Sequence, residues 1–321
     1  MTGQANFLQS LGWAVLNSLW QLALLWVLYQ VLTAVFKKIS PATKSLLAAG
    51  LLISGFAWFM YTFITVLIAG PAHTDTLTAG IVAASANNEL STWLQQSLPV
   101  ASVIYLILLL LPVLRFMRNY RYVQVIRQYG RSKLQVDWRM FVQRTAAQMG
   151  IRKKVNAWVS ELVSSPVTIG FLKPVILVPL AAINHLSPQQ LEAVLLHELS
   201  HIKRSDYLVN LIINFIQTIL YFNPFVKAFV KIVEREREKS CDEMVLQFQY
   251  DSHDYASALL TLEKASQVQK PFAMAAAGKK NDLLHRIETI MGVQPKPSLS
   301  FNKLAGLFAG LLCIIALNAL L

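Results

Sequence analysis

The stretch Ser187-Pro188-Gln189-Gln190-Leu191-Glu192-Ala193-Val194-Leu195-Leu196-His197-Glu198-Leu199-Ser200-His201-Ile202-Lys203 carries the densest information in the chain. It opens like a helix. Ser187 can cap, Pro188 fits the first turn, and Gln190 can complete a capping box. Within it His197-Glu198-Leu199-Ser200-His201 matches H-E-x-x-H. On a helix, residues four apart lie on one face, so both imidazoles can reach one zinc ion at about 2.0–2.1 Å. Glu198 adjoins the first histidine. Zinc lowers the pKa of its water toward about 7, and Glu198 can take that proton and pass it to a leaving amine. The bland alternative for five residues alone is a pair of satisfied histidines, but the capped helix supplies the geometry a metal needs.

A catalytic zinc needs three protein ligands and one open position. Downstream, Asn223-Pro224 breaks the chain, and a helix expected from about Phe225 carries Glu234, Glu236, Glu238, Asp242 and Glu243. Glu238 and Asp242 are four apart and share a face. A glutamate ligand with an aspartate steering a ligand histidine is sensible metal-site chemistry. Periodicity alone does not select Glu238. For Glu234 and Glu236 the alternating signs favour a solvated helix face.

Before the H-E-x-x-H helix, Asp137 can cap a helix through Trp138, Phe141, Val142, Thr145 and Met149, with Gly150 at its stop. Val155, Ala157 and Val159 alternate with polar residues, and Val167–Ile169 and Val175–Val178 are short β-like runs split by Gly170 and Pro174. These runs predict a small antiparallel sheet. The 164–179 block can offer an edge for strand addition by a peptide, or simply pack internally.

Farther out, composition takes over. The 321 residues are 55% hydrophobic and 14% charged with net charge +12, against roughly 25% charged for a soluble domain. That excludes a disordered tail or an ordinary cytosolic enzyme, and two cysteines exclude a disulfide scaffold. Met1–Phe36, Ser45–Gly70, Leu90–Leu114 and Leu304–Leu321 contain no charged side chain. About 20 apolar residues cross a bilayer, so four transmembrane helices are predicted. The first run lacks the basic start and short apolar core of a signal peptide.

The excess charge is concentrated: residues 115–154 hold eleven cations and one anion, while residues 155–300 hold fourteen of each. Three lysines lie at 37–44, and residues 71–89 have no Lys or Arg. The positive-inside rule then puts both termini outside and residues 115–303 inside. The basic stretch reads as a topology marker facing anionic lipid rather than a nucleic-acid surface. The expected domains are 1–114 with three spans (about 9–36, 45–70 and 92–114), 115–300 as the cytoplasmic domain, and 301–321 as the fourth span.

Several blocks in order resemble the BlaR/MecR-type family of membrane zinc metallopeptidases. They are Ser164-Ser165-Pro166-Val167 through Gly170–Pro179, His197–Asn210, Phe222-Asn223-Pro224-Phe225, and the E-x-x-C-D pattern Glu238-Lys239-Ser240-Cys241-Asp242. The resemblance covers the whole chain in organisation and about 115–300 in motif. It implies a four-span α-helical membrane protein with a cytoplasmic α+β, zincin-like metallopeptidase domain in the bacterial cytoplasmic membrane. It also implies zinc held by His197, His201 and Glu238, Glu198 as general base, and Asp242 supporting a ligand histidine. The implied activity is signal-dependent proteolysis of the protein itself or of a transcriptional repressor, with no direct nucleic-acid contact and a homodimer as a candidate assembly. Competing readings are a non-proteolytic receptor with structural zinc, and a housekeeping membrane protease. The family's β-lactam sensors continue into an extracellular penicillin-binding domain. This sequence reaches Leu321 without an S-x-x-K motif in an outside segment, so sensing by acylation is not expected.

Weaker features remain. Tyr207–Val233 is strongly apolar and reads as core helices that can dip into the membrane interface, with a fifth membrane element as the alternative; Asn223-Pro224 splits it, and its first half is too short to span. His285 and Arg286, in a segment resembling a late family block, can stabilise an oxyanion or belong to a mixed-charge surface face. Cys241 reads as a packing residue behind the zinc helix. Pro271–Lys280 reads as a mobile loop and a candidate cleavage site.

Overall fold

The computed structural model describes residues 2–36, 38–69, 88–268 and 276–293, together with Gly306 and Gly310. The chain divides into two compact units, one of residues 1–116, 213–233 and 298–321, the other of 117–212 and 234–297.

The first unit holds α1 (Thr2–Val35), α2 (Pro41–Ala69) and residues 88–116 of α3 (Asn88–Gln128). Uncharged apolar runs leave main-chain groups only intrahelical partners, which makes these segments helical in lipid. Among the described residues, three helices are long and apolar enough to cross a membrane: Asn6–Val35, Pro41–Ile68 and Gln96–Gln128. The third runs well past the expected end at Leu114. Residues 115–128 contain no breaker, and the turn comes at Gly130, where φ is +63°.

Small residues let these helices approach. A Cβ on Gly55 would lie 2.5 Å from Leu22 Cδ2, and one on Gly12 would lie 2.9 Å from the Leu98 carbonyl. Ser102 Oγ donates to the carbonyl of Leu8 at 2.6 Å, and Gln21 Nε2 donates to Thr62 Oγ1 at 2.9 Å. Residues 213–233 also belong to this unit. They comprise the later part of α7 (Asp206–Ile219) and the start of α8 (Pro224–Gln247). Ile213, Ile216, Leu220, Val226 and Phe229 are buried. At the break, Asn223 Oδ1 accepts from Phe225 N and Nδ2 donates to the Ser18 carbonyl. The expected fourth span lies outside the described residues, except that Gly306 and Gly310 are helical.

The second unit is built on a four-stranded sheet in the order β1-β2-β4-β3. The strands are β1 (Arg131–Lys133), β2 (Asn156–Ser160), β3 (Val167–Ile169) and β4 (Val175–Pro179). The sheet is mixed, not antiparallel as expected: β1–β2 and β3–β4 are antiparallel, but β2–β4 is parallel. The physical reason is the connection. After β2 the chain crosses to the far edge, forms β3, and hairpins through Gly170 (φ +93°) into the centre as β4.

All five residues of β4 are buried, as befits a central strand covered on both faces. Ile176 and Val178 join the core around α6 (Pro188–Lys203), with Leu195, Leu196 and Leu199. Val175 and Leu177 face the other way, with Ile126 and Ile169. The capping box of α6 is present: Gln190 N donates to Ser187 Oγ at 3.3 Å, and Ser187 N to Gln190 Oε1 at 3.1 Å. In α4 (Val136–Gln148) the N-cap is Gln135, not Asp137, which lies in the first turn. There its charge still suits the helix dipole. The remaining helices are α5 (Leu180–His185), α9 (Ser252–Val268) and α10 (Ala276–Ile290). Part of the expected 271–280 loop is therefore the first turn of α10, where alanines favour helix; residues 271–275 lie outside the described residues.

Candidate metal centre

Helix α6 presents His197 and His201 one turn apart, with ring centroids 4.9 Å apart and planes at 85°. Their Nε2 atoms are 3.2 Å apart. Glu238, on α8, places Oε2 3.5 Å from His197 Nε2 and Oε1 3.9 Å from His201 Nε2. Ligands at about 2.0–2.1 Å from a tetrahedral ion lie about 3.4 Å from one another. The three side chains have that spacing, so they form a group that can hold a metal ion.

The outer ring nitrogens decide what the inner ones offer. His201 Nδ1 is 2.7 Å from Asp206 Oδ2. His197 Nδ1 is 3.2 Å from Asp242 Oδ1 and 2.9 Å from the Tyr255 hydroxyl. Tyr255 spends its single proton on Asp242 Oδ1 at 2.6 Å, so its oxygen accepts from His197. Both Nδ1 atoms are therefore placed to carry protons, and in the neutral rings both Nε2 lone pairs then face inward. Two lone pairs facing each other at 3.2 Å, beside a carboxylate, call for a cation between them. The donor set of two nitrogens and one oxygen fits zinc.

Further charges brace the carboxylates. Arg286, from α10, grips Asp242 with both edges, Nε to Oδ2 at 2.9 Å and Nη2 to Oδ1 at 2.7 Å. Its Nη1 lies 3.2 Å from Glu238 Oε2. Arg204 Nε lies 3.4 Å from Asp206 Oδ1, and its Nη1 donates to Ser240 Oγ. Burial alone would lower the pKa of His197, but hydrogen bonds to Asp242 and Glu238 outweigh it and raise it to about 9. His201 is likewise raised against its burial, by Cys241 and Asp206. Glu238 and Asp242 are lowered despite burial, chiefly by His197 and then by the positive groups around them. The pocket favours positive charge at the two Nε2 atoms.

Glu198, 7% exposed, lies beside His197 on α6, and its Oε2 accepts from Thr168 Oγ1 on β3 at 2.8 Å. The structure thus brings His197, His201, Glu238, Asp242 and Arg286 into one network, with Glu198 next to His197 in the helix and bonded to Thr168. It leaves His285 apart, with Nδ1 3.9 Å from Glu288 on its own helix. Arg286 is engaged by two carboxylates. Glu236 is buried, with Arg235 Nη2 at 3.0 Å, rather than solvated. Cys241 is fully buried with Sγ 3.4 Å from His201 Nδ1. His201, Asp206 and Cys241 also cluster, but the 2.7 Å between His201 and Asp206 is a hydrogen-bond length rather than a separation between metal ligands.

Three residues of the network escape sequence reasoning. Asp206 follows a reversal at Ser205, where φ is +60°, so helical spacing from His201 does not reach it. Tyr255 and Thr168 arrive from distant elements and leave no local signal.

A family model described as BlaR1 peptidase M56 matches residues 51–290. The methicillin resistance mecR1 protein of Staphylococcus aureus (strain Mu50) is 23% identical over 227 residues, covering 68% of this chain and 38% of that protein. The regulatory protein BlaR1 of Bacillus licheniformis is 30% identical over 165 residues, or 50% of this chain and 27% of that protein. BlaR1 of Staphylococcus aureus is 24% identical over 152 residues, or 46% of this chain and 25% of that protein. The matched region spans well under half the length of these relatives.

Proposed function

The chain belongs to the BlaR1 peptidase M56 family, and on that premise we propose that it is an integral-membrane zinc endopeptidase acting in regulatory proteolysis, on itself or on a transcriptional repressor. The observation that carries the reading is the pair of Nε2 atoms 3.2 Å apart, each with its Nδ1 tied to a carboxylate, facing Glu238. Similarity to proteins named as regulatory supports the signalling part, and three apolar helices support the membrane part.

His197, His201 and Glu238 would hold a zinc ion, which would supply Lewis-acid chemistry for activating a water and polarising a carbonyl. Asp242 and Asp206 keep the protons on the Nδ1 atoms and hold the rings in place. Glu198 takes a proton at its carboxylate from the attacking water and returns it to the leaving amine nitrogen. The free edge of β3 supports binding of an extended peptide: β3 pairs with β4 on one side, and no other described strand pairs with its outer edge. The basic stretch at 115–154 supports a cytoplasmic side for this chemistry.

The test compares new protein N-termini in cells carrying the parent or Glu198→Ala, read by mass spectrometry. Termini found only with the parent are expected, and they name substrate and cleavage site together. Equal cleavage by both forms refutes the mechanism.

A further inference from the structure

Thr168 sits at the centre of β3, opposite Ile176 of β4. Residues opposed across a strand pair point to the same face. Ile176 is fully buried in the core that packs against α6, whereas Ile169 joins the opposite core. The register therefore turns Thr168 toward α6, the helix of Glu198. There its hydroxyl reaches two acceptors on that residue, carboxylate Oε2 at 2.8 Å and the main-chain carbonyl at 3.3 Å. A hydroxyl has one proton to donate. The carboxylate is nearer and charged, and it takes the stronger bond. A valine would fill the same space without the donor.

We propose that Thr168 is a positioning residue for the general base: its hydroxyl fixes the Glu198 carboxylate and ties it to the edge strand on which a peptide adds. The inference rests on the peptidase reading above. A glutamate free at both oxygens samples several rotamers, and each must be lost again to reach the reacting geometry. One oxygen held by Thr168 leaves the other aimed. Because the anchor is the strand itself, base and bound peptide share one rigid reference, and rigid support of this kind keeps reacting groups in register.

The experiment uses the full chain in detergent micelles, loaded with zinc, and a quenched fluorescent peptide carrying residues 268–284 of this sequence. Thr168→Val is expected to lower kcat by roughly 10-fold to 100-fold with KM within about twofold, the signature of an interaction lost from the transition state. Thr168→Ser, which keeps the hydroxyl, is expected to recover most of the rate. The absorption spectrum of the cobalt-substituted protein should be the same in all three, since no proposed ligand changes. A Thr168→Val enzyme with the parent's kcat, or a serine variant as slow as the valine one, overturns the inference while leaving the peptidase reading intact. A Glu198→Gln variant that cuts as well as the parent overturns the peptidase reading instead. Turnover-free evidence comes from a structure of Thr168→Val, in which the Glu198 carboxylate should leave its place; an unmoved carboxylate also overturns the inference.

Discussion

Asp206→Asn should weaken zinc binding by about 30-fold, within the range of about 10-fold to 100-fold for partners that orient metal ligands. Asp206 is buried, and its Oδ2 lies 2.7 Å from His201 Nδ1. Across the imidazole and on to an ion at about 2.1 Å, the charge-to-metal distance comes to about 6.5 Å. At an effective dielectric of about 20, one charge acting on a divalent ion over that distance contributes about 5 kcal/mol. That is a ceiling. Asparagine still accepts from Nδ1 and keeps the ring oriented, and Arg204, which loses a carboxylate partner, becomes an uncompensated cation nearby. A 30-fold loss corresponds to about 2 kcal/mol, well below the ceiling.

The assay is equilibrium competition between the purified full chain and a chromogenic zinc chelator near neutral pH, with circular dichroism to check the fold. Asp206→Ala, which removes the acceptor as well as the charge, should lose more than Asp206→Asn. A zinc Kd for Asp206→Asn within about twofold of the parent's would refute the idea that this carboxylate tunes His201, because it falls below the smallest effect such partners show.

Other outcomes follow from the same geometry. Tyr255→Phe removes the donor to Asp242 at 2.6 Å from a fully buried position, and should lower fold stability by about 2 kcal/mol; an unchanged melting temperature contradicts it. Gln21→Leu should stabilise the first unit by about 1 kcal/mol, because a transmembrane hydrogen bond contributes only about 0.6 kcal/mol and an unmet buried acceptor costs more. Gln21 Oε1 is buried without a partner among the described residues, and a lower melting temperature in micelles would count against that reasoning. Stripping zinc with a chelator should lower the melting temperature, since an ion at 100 times its Kd stabilises by about 2.7 kcal/mol; identical melting with and without zinc argues against a metal site.

Much of this was legible where physics is local. Uncharged runs announced the apolar helices. Ser187 and Gln190 announced the start of α6, and the four-residue spacing placed His197 and His201 on one face. The parallel β2–β4 pairing was not legible, because short β-like runs do not say which neighbours they find. Asp206, Tyr255 and Thr168 were hidden for the same reason: each reaches the site through a turn or a separate element. Arg286 reads from sequence as an oxyanion stabiliser or a surface residue, and only three-dimensional packing shows that Asp242 and Glu238 engage it.

That placement of Arg286 makes its prediction differ in sign from that for Asp206. Around the ligand histidines the carboxylates of Asp206, Glu238 and Asp242 meet three guanidiniums, Arg204 beside Asp206, Arg237 3.8 Å from Glu238 Oε1, and Arg286 on both Asp242 and Glu238. Arg286→Met removes a positive charge that repels a metal cation and leaves Asp242, 4% exposed, short of its main counter-charge. Breaking a buried pair costs about 3–5 kcal/mol, reduced here to about 2–3 because the arginine is partly exposed. Arg286→Lys should not restore it, since an ammonium cannot reproduce the two-edged grip. Zinc affinity, in contrast, should hold or rise, because Tyr255 still holds Asp242 and the site has become more negative. Stability should therefore fall without loss of metal in Arg286→Met, whereas zinc affinity should fall about 30-fold in Asp206→Asn. Melting curves and chelator competition on both variants separate the two. If Arg286→Met loses zinc as severely as Asp206→Asn, charge balance is not what governs this site.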